Sequence, residues 1–142
     1  MIDTELEELI REAAAMGVEY ATSVDARKVT PTDEAVAALA AFDEPLPEVG
    51  RDAMETIRLL GDVGGPATMA NTGARYFGFV TGGTLPAALA AGWLTAAWDQ
   101  NAALPSMSPV AAKLHDVTAR WLVDVLRLPA GTGVAFVTGA TV

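Results

Sequence analysis

Cysteine is missing from all 142 residues, histidine occurs once and lysine only twice. Without cysteine there is no disulfide framework, no thiol nucleophile and no Cys-ligated zinc or iron–sulfur site. The one imidazole, His115, lies between Leu114 and Asp116 with no Ser, Asp or Tyr constellation placed to work with it as a general base. A structural or surface role is expected for it, and no metal site, because one His among scattered carboxylates has no recognisable ligand spacing. A Schiff-base lysine needs a desolvated amine. Lys28 follows Arg27 in a polar stretch and Lys113 falls on a charged helix side, so both read as solvated charges. Nine Lys and Arg against eighteen Asp and Glu leave a net charge of −9, which excludes general nucleic-acid binding by phosphate neutralisation.

Charge is also scarce in one place. Residues 1–62 hold fifteen acids and five bases, whereas residues 63–142 hold three acids and four bases. Seven charges in 80 residues give too little polar surface to face water alone, so the second part is expected to be covered by a partner subunit or by the rest of a larger protein. The length fits about one domain, which at this size buries roughly 68–70% of its unfolded surface. The opening Met1–Glu5 is acidic where a secretory leader is basic, and a cytoplasmic location is expected. Tyr76 to Trp98 is uncharged for 23 residues, but Gly82, Gly83 and Pro86 interrupt it and point to a buried helix rather than a membrane span.

Hydrophobic spacing predicts a mainly α chain. Leu6, Leu9, Ile10 and Ala13 predict an amphipathic helix over 3–16, stopped by Gly17. Thr30-Pro31-Thr32-Asp33 reads as an N-cap, a first-turn proline and an acid, opening a helix to about Phe42. Asp43 to Pro47 is a stiff connector. A third helix is expected over Gly50 to Leu60 with Met54, Ile57 and Leu60 inward, ended by Gly61, Gly64, Gly65 and Pro66. Arg75 to Gly83 is an aromatic, glycine-rich loop, suited to a pocket wall, although a buried strand with a turn has the same composition. Leu85 to Trp98 forms the next helix, capped by Thr84, and Ser108-Pro109 opens the last. That helix carries Val110, Leu114, Val117, Trp121 and Val125 on one stripe, pairs Arg120 with Asp116 and Asp124 on the other side, and ends before Leu128-Pro129. Val134 to Val137 reads as a short buried strand, followed by the small-residue loop Thr138 to Thr141.

A strand with a Gly/Thr-rich turn commonly leads to a helix N-terminus that holds an anion. VAFVTGAT is similar to the opening of a short-chain dehydrogenase, which would make the chain a dinucleotide binder, but that motif normally opens its domain and here 133 residues precede it. The elements upstream decide otherwise. RYFGF (Arg75 to Phe79), a Pro-initiated apolar helix, WDQN (Trp98 to Asn101), Ser108-Pro109, Trp121-Leu122, Leu128-Pro129 and VTGAT follow one another as in the N-terminal part of group II pyridoxal-phosphate decarboxylases. The chain resembles these relatives of aromatic-L-amino-acid and glutamate decarboxylases strongly from Arg75 to Thr141 and loosely before it.

The resemblance implies the aspartate-aminotransferase-like α/β fold, PLP fold type I, for the complete protein. Residues 1–74 would be an acidic helical segment, 75–107 the pocket loop, apolar helix and intersubunit loop, and 108–142 the truncated start of the cofactor-binding large domain. It places Gly139, Ala140 and Thr141 at the pyridoxal 5'-phosphate phosphate, and Phe79, Val80, Thr81, Asn101 and Ala103 at the substrate pocket of a homodimer. Gly73-Ala74 stand where relatives commonly have His-Pro, and Gly139-Ala140 where they more often have two glycines or serines. The family's ring-stacking histidine, its aspartate partner to the pyridine nitrogen and its Schiff-base lysine would all follow Val142. The expectation is therefore an inactive N-terminal piece of an amino-acid carboxy-lyase, with no catalytic residue of its own. A non-catalytic helical oligomerisation module is the alternative.

Overall fold

A computed structural model of the chain describes residues 4–139. It is mainly helical, with no strand among the described residues: α1 (Thr4–Ser23), α2 (Asp33–Ala38) running into a 3-10 turn (Leu39–Phe42), α3 (Ala53–Leu59) continued by a π turn (Leu60–Gly64) and a 3-10 turn (Gly65–Ala67), α4 (Pro86–Trp98) and α5 (Pro109–Val125). Two compact units, Met1–Thr84 and Leu85–Val142, divide these elements.

In the first unit, α1 passes through Gly17 and gains almost two further turns. A helical glycine costs only about 1 kcal/mol against alanine, and packing offsets that here. The face that α1 turns inward is Leu9, Glu12, Met16 and Tyr20, while Ile10 and Ala13 stay exposed. Arg58 of α3 donates to Glu12 at 2.9 Å across the pair. The Met16 thioether lies so close to Gly61 that a Cβ there would stand 2.5 Å from its sulfur. This close approach explains why Gly61 does not end the helical winding: the π turn brings it against α1. Met54 and Ile57 are half-buried as the spacing predicts, but Leu59 takes the inward place expected for Leu60.

Caps are set by side chains that reach the free N–H groups of the first turn. Thr32, not Thr30, caps α2 by accepting from Ala35, and Asp52 caps α3 by accepting from Glu55, so α3 begins three residues later than Gly50. Hydrogen bonds from its own backbone N–H and then from Thr32 hold the Glu34 carboxyl below its ordinary range. Because the folded value is lowered, this support is present above the ordinary carboxylate range and is lost as pH falls through the lowered value.

In the second unit α4 starts at Pro86 with Leu85 before it, and Thr84 makes no cap. Asp99 ends α4 in the left-handed region, at φ 44°. Ser108, fully buried, caps α5 by accepting from Ala111, with Pro109 in the first turn. α5 closes with Leu128 N–H donating to the Val123 carbonyl and Arg127 N–H to that of Asp124, a Schellman arrangement. Arg127 holds the left-handed position, at φ 52°, that glycine usually fills. Among the described residues Arg120 forms no ion pair with Asp116 or Asp124. Ser108→Ala is expected to lower α5 stability by about 1 kcal/mol, read as a shift in the urea midpoint.

Val134 to Val137 form no strand. A strand exists only against a neighbour, and among the described residues no backbone partner meets these four; Phe136 makes an edge-on contact with His115, ring centres 5.0 Å apart. The same shortage of partners runs through the chain. Among the described residues only Ala70 and Ser108 are buried. On the α5 stripe Val117 is half-buried, but the other four are open to solvent, Trp121 at 67% and Val125 at 76%. No described helix is long and apolar enough to cross a membrane.

Candidate functional site

The best-built part of the chain lies where the end of α1 meets residues 65–75. Tyr20, on the last turns of α1, donates to the Met69 carbonyl and accepts from the Thr68 hydroxyl at 2.9 Å. The Arg27 guanidinium lies over the Tyr20 ring, 4.6 Å from its centre, and donates to the Gly65 carbonyl at 2.7 Å. Charge on the ring face and a carbonyl in the guanidinium plane satisfy that cation without a carboxylate. Ala70 N–H then donates to the Val29 carbonyl, which seats Ala70 in its buried position.

From this base a clasp rises to the aromatic loop. Asp25 Oδ1 accepts from the Ala74 N–H at 2.9 Å. Arg75 donates to the carbonyls of Asp25, at 2.8 Å, and of Arg27. Gly73 allows the two segments this close: a Cβ there would lie 3.3–3.4 Å from the Ala70 and Val24 carbonyl oxygens and from Asp25 Oδ1. Beyond the clasp the backbone bends twice, Tyr76 N–H to the Gly73 carbonyl and Thr81 N–H to the Gly78 carbonyl, while the Tyr76 ring folds back over Gly78.

The second bend carries the strain. Phe79 and Val80 have φ of 54° and 58°, the pattern of a type I′ turn, whose central positions favour Asn and Gly. A β-branched residue there is an outlier. Both side chains stand in solvent, Phe79 at 89% exposure and Val80 fully, and Phe77 beside them is equally bare.

Phe79, Val80 and Thr81 thus share one turn of the first unit. Asn101 and Ala103 share one loop of the second, where Asn101 Oδ1 accepts from the Ala103 N–H at 3.0 Å. Gly139 lies in a bend with open space around it, nothing within 4 Å of its would-be Cβ; Ala140 and Thr141 lie outside the described residues. The described residues therefore build no closed phosphate cradle. A 460 Å³ groove beside Met16 and Tyr20 and a 610 Å³ depression at the end of α5 contain none of these residues. Among the described residues no group of acids and histidine is arranged to hold a metal. Asp25, Tyr20 and Arg27 escape sequence reading, because their partners lie 38–50 residues away and no local pattern marks them.

No protein-family model, no curated protein and no solved structure matches the chain.

Proposed function

We propose that the chain is the N-terminal part of a pyridoxal-phosphate-dependent amino-acid decarboxylase of the aspartate-aminotransferase-like fold, working in the cytoplasm as a homodimer. The observation that carries this reading is the ordered succession RYFGF, WDQN, Ser108-Pro109, Leu128-Pro129 and VTGAT, supported by where its members fall. The first four sit at junctions: the clasp and strained turn, the left-handed end of α4, the cap and first turn of α5, and α5's Schellman close. An apolar run at 134–137 with no backbone partner suits a strand whose sheet is supplied by other chain, and the bare α5 stripe suits a helix covered by other elements.

In this reading Phe79, Val80 and Thr81, with Asn101 and Ala103, form walls of a substrate pocket, and Gly139 to Thr141 begin the phosphate site. Pyridoxal phosphate supplies the electron sink for decarboxylation. Gly139 stands open, and in this reading the chain contributes walls and surface rather than proton transfer. The test is carbon dioxide release from amino acids with pyridoxal phosphate. No release is expected from the 142-residue chain, and release is expected when it is joined to the polypeptide encoded downstream, which should carry a lysine after a small-residue strand. A downstream reading frame without such a lysine would sink the reading.

The exposed α5 stripe also suits a helical oligomerisation module without a cofactor. That reading expects a folded, cofactor-free assembly and no new absorbance with pyridoxal phosphate in the presence of the downstream segment. A short-chain-dehydrogenase-like role would instead give a saturable change in nucleotide fluorescence on NADPH titration.

A further inference from the structure

We infer that Arg75 and Asp25 are positioning residues that hold the Phe79–Val80 turn in its strained, outward form. The inference deepens the proposed function and rests on it for the use of the turn as a pocket wall, but the positioning itself is a property of this chain.

Two residues at positive φ without glycine or asparagine are retained only where the surroundings over-determine the backbone. Here the surroundings are specific. The stem of the loop is fixed on both sides of one peptide, Ala74 N–H to the Asp25 carboxylate and the Arg75 guanidinium to the carbonyls of Asp25 and Arg27. Gly73 gives the clasp room, and the Tyr76 ring over Gly78 passes its orientation to the turn. The turn itself touches nothing that would hold it: Phe79 and Val80 are bare, and its own closing hydrogen bonds, from the Thr81 N–H and hydroxyl to the Gly78 carbonyl, are long at 3.4 and 3.3 Å. Order at 79–80 therefore has to enter through the stem.

The clasp also decides what the turn offers. Arg75 is the one cation from Gly73 to Trp98 in the sequence, and its Nη2 donates to two carbonyls. The turn presents an aromatic ring and an isopropyl group to solvent, a surface suited to an apolar or aromatic side chain.

Hydrogen exchange read by mass spectrometry on the 142-residue chain tests the positioning. Asp25→Ala and Arg75→Ala are expected to speed exchange of the hydrogen-bonded amides in this stretch, Ala74, Tyr76 and Thr81, by roughly tenfold, the loss of one or two hydrogen bonds, with α1 and α3 unchanged. Asp25→Asn keeps an oxygen for the Ala74 N–H and should restore near-native protection, a rescue that a general loss of packing would not show. Unchanged exchange over 74–81 in both alanine variants overturns the inference. So does loosening of α1 and α3 together with the loop, or failure of the asparagine variant to restore protection. Absence of carbon dioxide release from the joined protein would remove the decarboxylase reading and leave the clasp standing.

Discussion

Phe79→Asn combined with Val80→Gly is expected to stabilise the Met1–Thr84 unit by about 1–3 kcal/mol, although it deletes two apolar side chains. Both residues occupy the left-handed region, at φ 54° and 58°, where the Cβ of a branched residue meets the neighbouring carbonyl. Each such position costs of order 1–3 kcal/mol, and the Asn-Gly pair removes most of it. Glycine's greater freedom in the unfolded chain offsets about 0.5–1 kcal/mol of the gain. Neither native side chain contributes burial that would be lost, because both stand in solvent. A higher urea midpoint with an unchanged slope is the expected result. A lower midpoint would mean that Phe79 and Val80 serve the fold. If stability rises as expected, the native pair is less stable than its replacement, the usual mark of a segment kept for contact rather than for folding.

The second large effect concerns the bare stripe of α5. The chain in isolation is expected to self-associate, since another copy is the one apolar cover available to it, and Leu114→Gln, Trp121→Gln and Val125→Gln together should weaken that association by about 100-fold or more. Burying such side chains is worth about 1.5–3 kcal/mol each, and only part of each is recovered at an interface, so three changes give at least the ~2.7 kcal/mol that 100-fold requires. All three are well exposed, so their replacement leaves the folded unit itself little changed. The charge distribution favours contact through this region: residues 85–142 carry three acids and three bases, whereas residues 1–84 carry fifteen acids and six bases. Light scattering against concentration reads the outcome. A wild-type chain that stays monomeric, or a triple variant that associates as strongly, would contradict it.

Local chemistry explains which sequence signals translate into structure. Ser108-Pro109 and Leu128-Pro129 bracket α5 as expected because a cap and a proline act within one turn. Gly17 misleads because its small cost is outweighed by packing that brings Met16 onto Gly61, 45 residues further on. The expected strand at 134–137 is absent because a β ladder is a property of a pair, and the described chain holds one member. RYFGF identifies the candidate site, but its anchor, Asp25, lies in a polar loop that nothing in the sequence links to Arg75.

The sequence by itself determines that the chain is mainly helical, that Ser108-Pro109 opens α5, and how unevenly charge is divided, since spacing, cap chemistry and composition act over a few residues. It also determines that the second part carries more apolar surface than it can hide. Only the tertiary structure decides that the loop after Gly73 is clasped by Asp25 and Arg75, and that Phe79 and Val80 adopt the handedness of a turn their own preferences oppose. Hydrogen bonds between segments about 50 residues apart override local preference, and they exist only once α1 and residues 65–75 have met.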